Sequence, residues 1–418
     1  MIIRLKIDRQ IVWPLVALYM LQFFFGAHKV VYVVSLIWLA SLMVRENSMI
    51  ITLPRVNGLL YYSIVIVMAI VIGMFSNEVR DVVKDIYYIS QPVIIITIGY
   101  LYEGLNNGKS IKRTLYLIGT FISIVTLFRV LVNIPNLTDL ESVRNIANLS
   151  VYEVTFVATI MFGDKILSKK VIFGNIMDWV MLGLMVAKVI ISMGRTELVS
   201  IVAMIGIILV FNVFFSKQKW TFIFKIIGIV AAVAVMVIGI YIALPEEAKE
   251  QFSNKINYSF QEIETDLDYD NYIDAIQHWR GFEIDQAQKQ WKSSNMVTQI
   301  VGGGLGTYVK VKYLPNEFTE DMYKGHSIAL LHNVYYTLLI KGGLLGMAAL
   351  IWLYIANILP VFRKKYVKYR PELIVQCAIT AAMMFMSYLV MANYNVSMYI
   401  TWGIMTGWTN ALIRGYKR

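Results

Sequence analysis

The chain has 418 residues, of which 58% are hydrophobic and only 16% charged, with a formal net charge of +11 and a mean hydropathy of +0.62. Soluble domains carry nearer a quarter charged residues, so this composition excludes a soluble enzyme or binding module and predicts an all-α polytopic membrane protein.

A helix needs roughly 20 residues to cross a hydrocarbon core. Apolar runs of about that length recur along the chain and predict about twelve spans, near residues 11–25, 30–44, 58–75, 86–102, 114–132, 150–164, 176–193, 197–215, 221–244, 333–359, 372–392 and 396–413. The basic start, Arg4, Lys6 and Arg9, leads into the first run without a small-residue cleavage site. The first helix is therefore expected to act as its own insertion signal. Three regions follow: spans one to nine over 1–244, one large extracytoplasmic loop domain over 245–332, and spans ten to twelve over 333–418.

The positive charge has a topological pattern. Lys and Arg gather in alternate breaks, at Arg4/Lys6/Arg9, Arg45/Arg55, Lys109/Lys112/Arg113, Lys165/Lys169/Lys170, Lys217/Lys219, Arg363 to Arg370, and Arg414/Lys417/Arg418. That alternation predicts both termini in the cytoplasm and the loop after the ninth span outside, and it makes nucleic acid an unsuitable partner. Residues 245–326 carry an excess of Asp and Glu instead. The single cysteine, Cys377, lies inside a span, so no intrachain disulfide can hold the loop together.

A loop of this length is expected to be functional rather than a mere connection. Within it, Ile273, Ile276, Phe282, Ala287 and Trp291 recur at helical spacing and predict one helix from about Tyr272 to Trp291. The run VGGGLGTY, 301–308, reads as a tight turn that brings backbone close to something, with a nest of amides at Gly304 and Gly306 as one way to contact substrate. No Gly-Lys-Ser/Thr follows it, so it is not a nucleotide loop. The stretch from Pro315 to Lys324 is expected to be irregular, and Asn333 or Ser327 to cap the helix of the tenth span. Asp266, Asp268, Asp270 and Asp274 are spaced like part of a calcium loop. Asn271 and Gln277 stand where the turn glycine and terminal glutamate belong, so the stretch reads as solvated acid.

Three polar residues fall near the expected outer face: Arg195 in GRTE between two spans, Arg280 on the loop helix, and His332. Charged groups at membrane depth are costly and mark function by default. Guanidinium matches phosphate oxygens bidentately and keeps its charge, whereas histidine accepts a proton near neutral pH. Together the three suit gripping a diphosphate and managing a proton on a hydroxyl. Each also has a plain reading: Arg195 as an interfacial anchor, Arg280 as the partner of Glu283 one turn on, His332 as a helix-start residue. His326 competes with His332 for the same role. Lys188 and Arg129 lie within spans, and two readings of Lys188 stay open, lining the same cavity or neutralising a buried carboxylate such as Glu153.

The order of these features, GRT at an outer helix end, Arg280 followed by Trp291, the turn of Gly302, Gly304, Gly306 and Tyr308, then HNVYY and GGLLG, resembles the O-antigen polymerase and ligase superfamily over roughly 191–350. One position departs from the family's pattern, Gly194 standing where Ser often precedes the first arginine. The resemblance implies a GT-C-like integral membrane glycosyltransferase of the bacterial plasma (inner) membrane. Its donor would be an undecaprenyl-diphosphate-linked glycan, and it would need neither cofactor nor metal. Arg195 and Arg280 would hold the diphosphate and His332 would serve the acceptor hydroxyl, with Gly304, Gly306, Tyr308, His326, Asn333, Tyr336 and Lys188 around the substrate. A flippase and a chain-length regulator are implied as assembly partners besides the lipid bilayer. Polymerisation of repeat units is the first expectation, ligation to a lipid core or protein the second, and a polysaccharide transporter or flippase the competing class, which predicts charge at mid-membrane and an inverted repeat.

Overall fold

A computed structural model describes residues 9–26, 28–45, 55–106, 109–133, 143, 146–147, 151–192, 194–215, 269, 271–314 and 324–414. Numbered in chain order, its helices are α1 Arg9–Phe25, α2 His28–Arg45, α3 Leu59–Ser76, α4 Val79–Asn106, α5 Lys109–Asn133, α6 Val151–Ser168, α7 Asn175–Ile191, α8 Arg195–Phe215, α9 Tyr272–Gln277, α10 Trp279–Ser293, α11 Met296–Val301, α12 Val334–Ile358, α13 Arg370–Leu389 and α14 Val396–Arg414. Eleven of the twelve expected apolar segments are helices; the ninth, 221–244, lies outside the described residues. By length and composition six of the described helices suffice to cross a membrane, those at 59–76, 79–102, 110–133, 195–215, 334–362 and 364–389, and Trp13–Phe25 and His28–Met43 are shorter and apolar. The protein is thus a mostly helical one with the build of an all-α membrane protein.

Lipid tails are as apolar as leucine, so helices inside a bilayer gain most from close backbone approach and from polar contacts between helices. Both devices appear. Gly403 and Gly407 on α14 form a small-x3-small pair, and a Cβ at Gly407 or at Gly99 would strike the backbone of the other helix, which fixes α4 against α14. Gln376 on α13 donates to Thr406 on α14 at 2.6 Å, and Asn410 on α14 donates to Asn357 on α12 at 2.6 Å.

The two ends of the bundle differ. At one end the basic breaks meet in ion pairs, Lys112 with Asp164 at 2.5 Å, Lys165 with Asp178 at 2.6 Å and Lys170 with Glu372 at 2.8 Å. Asn57, just before α3, is held there by Asn357 and Arg414. At the other end of α3, Asn77 donates to Gly303, Leu305 and Thr307 of the glycine loop. The 18 residues of α3 separate these ends by about 27 Å, close to a hydrocarbon thickness.

The glycine loop is shaped by a kink in α12. Gly343 there has φ +65°, outside helical values, and a non-helical residue frees carbonyls that must find other donors. The Ile340 and Lys341 carbonyls accept instead from Gly303 and Gly304 at 2.9 and 3.0 Å, and the Leu305 amide donates to Ala69 of α3 at 2.8 Å. Gly304 adopts φ +83°, and its missing Cβ leaves room for the Gly73 backbone. The expected close backbone approach is therefore to α3 and α12.

Beyond the loop, α9 to α11 and a two-residue ribbon, β1 Val309–Lys310 with β2 Ser327–Ile328, pair antiparallel with Val309 opposite Ile328. They enclose a small core of their own around Trp279, Phe282, Ala287, Val311 and Leu331. The single expected helix over 272–291 is two, broken at His278, whose φ and ψ of −110° and 39° are not helical. The break shifts the helical phase, so Ala275 rather than Ile273 turns inward, and Ile273 is exposed.

Candidate functional site

His332 ends the segment that leads into α12. Asn333 caps that helix as expected, its side-chain oxygen accepting from the Tyr335 and Tyr336 amides at 3.0 and 3.3 Å, so the backbone at 332 is fixed. Opposite it stands Glu283 of α10. The Glu283 carboxylate accepts the His332 amide at 2.9 Å and lies 3.1 Å from its Nδ1 through both oxygens. The carboxylate is 1% exposed and the imidazole side chain 30%. A buried carboxylate on Nδ1 orients the ring and fixes its tautomer, which is how a histidine base or proton carrier is usually prepared. The contact also settles one open reading: Glu283 is committed to His332 and is not a solvated surface partner of Arg280.

Arg280 lies three residues before Glu283 on the same helix, hence on the same face, and is half-buried. It comes within electrostatic reach of Tyr152 at the start of α6, whose hydroxyl shares hydrogen bonds with Glu197 and Thr196 in the first turn of α8. Arg195 opens that turn and is also half-buried. The two arginines thus flank one short polar bridge, Tyr152/Thr196/Glu197. The departure at Gly194 has a local cause. The Glu197 carboxylate folds back over Gly194 and fills the place a Cβ would occupy, so a serine there would require that carboxylate to move.

Lys188 is fully buried beneath this turn, between Glu153 and Glu197, which both act on it electrostatically. Lys188 thus lies within electrostatic reach of both carboxylates. Arg129 stacks on Phe23 with 5.3 Å between guanidinium and ring centre.

The remaining residues named from sequence divide. Tyr336 stays beside α10, its hydroxyl accepting from Gln288 at 2.6 Å. His326 is exposed on the ribbon, where its carbonyl accepts from Val311. Gly304 and Gly306 are engaged by the scaffold: the Gly304 amide donates to the Lys341 carbonyl, and the Gly306 amide donates to Asp85 at 2.5 Å. Tyr308 sits beyond them at the start of α4, donating to Asp81 at 2.7 Å and accepting from Lys84 at 2.7 Å. Burial and Asp81 push its hydroxyl pKa up, so it stays protonated. The loop's amides are taken by the kinked α12 and by Asp85, which leaves no nest for an anion at Gly304 and Gly306.

No protein-family model matches the chain, and no curated protein is significantly similar to it. The functional reading accordingly stands on the geometry and on the motif order.

Glu283 was missed as a site residue. Its sequence signal was weak but present: a carboxylate between Phe282 and Ile284, both buried, lies on the packed side of its helix and needs a polar partner there.

Proposed function

We propose that the protein is a membrane glycosyltransferase that moves a glycan from a lipid diphosphate to an acceptor hydroxyl, polymerising lipid-linked repeat units. The observation that carries this reading is the contact between buried Glu283 and half-exposed His332 on a helix that also presents Arg280. His332 takes the proton of the acceptor hydroxyl while that oxygen attacks the anomeric carbon. The glycosidic bond to the diphosphate breaks, and its electron pair leaves on the phosphate oxygen, where Arg195 and Arg280 stabilise the charge. Glu283 stabilises the imidazolium that forms.

In this reading the chain crosses a bacterial plasma membrane about twelve times, with both termini in the cytoplasm and 245–332 outside. The gathering of basic breaks at one end of the bundle and of the polar site at the other supports that orientation. It also weighs against a transporter, whose charges would cluster at mid-membrane. Ligation to a finished lipid core or a protein is the second form of the same chemistry. Reporter fusions at Lys255 and Lys417 should give opposite signals.

The decisive test uses membranes containing the full chain, undecaprenyl-diphosphate-linked repeat units and a readout of released lipid diphosphate. Arg195→Lys and Arg280→Lys should insert normally and lose most product, because an ammonium lacks the planar fork. Normal product from both Arg195→Ala and Arg280→Ala would overturn the diphosphate grip.

A further inference from the structure

A polar cavity at the loop end takes no part in the transfer step. It encloses about 500 Å3 between the start of α2, the first turns of α4 and Tyr308, within the roughly 300 to 1,000 Å3 of small-molecule sites. Among the described residues four cations line it, Lys29, Arg80, Lys84 and Lys324, against the two carboxylates Glu78 and Asp81, an excess of two positive charges. The carboxylates are engaged by Lys324, at 2.7 Å from Glu78 and 3.5 Å from Asp81. Arg80 is exposed and makes no ion pair or hydrogen bond among the described residues.

The walls supply rings as well as charge. Tyr87 and Tyr88 meet edge to face with centroids 4.5 Å apart, and Lys84 lies 4.7 Å over the Tyr308 ring. Aromatic faces beside mixed donors and acceptors suit a saccharide, whose C–H faces pack on rings and whose hydroxyls both give and take hydrogen bonds. The positive excess selects a sugar that carries an acid group.

The cavity is joined to the His332 site through α10. Gln290 donates to the Tyr308 carbonyl at 2.9 Å and accepts from the Lys310 amide at 2.9 Å. Seven residues separate Gln290 from Glu283, about 10.5 Å along the helix.

We propose that this cavity is a binding subsite for an acid-bearing saccharide, holding a part of the glycan that does not react. That the saccharide belongs to the transferred or accepting chain rests on the transferase reading; the binding itself does not.

The test measures binding of a tetrasaccharide of alternating glucuronate and N-acetylglucosamine to the full chain in nanodiscs, by saturation-transfer NMR and titration. The wild type should bind it, and His332→Ala should bind it equally. The variant Arg80→Ser, changed at an exposed residue, should keep its unfolding temperature and bind about tenfold or more weakly, as should carboxyl-reduced tetrasaccharide with the wild type. Absence of wild-type binding, or unchanged binding by Arg80→Ser, would overturn the subsite. Loss with His332→Ala alone would assign the saccharide to the transfer site, and displacement by phosphatidylglycerol vesicles would assign the cavity to a lipid headgroup; either outcome overturns the proposal. Should the wild type bind the tetrasaccharide yet release no lipid diphosphate, the transferase reading fails and the subsite stands.

Discussion

Two polar clusters flank the glycine loop, and they differ in what surrounds them. On one side Lys341 and Asp85 meet at 2.5 Å, 2% and 1% exposed, with the Thr307 carbonyl and the Gly306 amide completing the group. On the other side Glu283 is equally buried, but its partner His332 is 30% exposed. The first cluster is closed on itself and joins α4, the loop and α12. In the second the carboxylate is sealed and the imidazole is partly exposed. A buried carboxylate whose ammonium partner is buried with it is scaffold; a buried carboxylate behind a partly exposed imidazole is the arrangement that chemistry requires.

The scaffold assignment predicts the largest stability effect in the molecule. Removing one partner of a buried ion pair leaves an uncompensated charge and costs about 3–5 kcal/mol, whereas removing both costs far less. Lys341→Met should therefore lower the unfolding temperature in nanodiscs sharply, and Asp85→Asn added to it should restore much of the loss. If the single variant proves as stable as the wild type, the two clusters do not differ as described.

Gly304→Ala probes the loop between them. Its φ of +83° and the Gly73 backbone behind it make an added methyl strained, at a cost on the order of 1–3 kcal/mol from the dihedral alone. Proteolysis of the loop should accelerate, while Gly183→Ala on α7, which has open space at its Cβ, should leave it unchanged.

The smallest effect belongs to the site's border. Tyr336→Phe removes the hydroxyl that accepts from Gln288 and should destabilise by about 1 kcal/mol, measured in the same unfolding assay. A loss as large as that of Lys341→Met would place Tyr336 in the scaffold.

Much of this architecture was legible beforehand because membranes impose simple rules. Apolar length marked the helices, the basic breaks marked one end of the bundle, and the Asn333 cap followed from its position before an apolar run. What stayed hidden depended on contacts across the chain. Glu283 sits one turn from Arg280, and local spacing favoured that pair; only folding brings His332, 49 residues on, to the same carboxylate. The glycine run announced a close approach without saying to what, since its partners are carbonyls released by a kink at Gly343. The ribbon at 309–310 and 327–328 is too short for an alternating pattern to register. His278 broke a helix that apolar spacing had drawn as one, because the spacing tolerates Ile273 on either face of a short segment.

The central claim is that Glu283 and His332 act as one unit, and a double-mutant cycle on the rate of lipid-diphosphate release tests it most directly. His332→Ala should slow transfer by about 10²- to 10⁴-fold, Glu283→Gln should slow it substantially, and the double variant should be no slower than His332→Ala alone. Losses that multiply in the double variant, or a Glu283→Gln variant that transfers at the wild-type rate, would contradict the account.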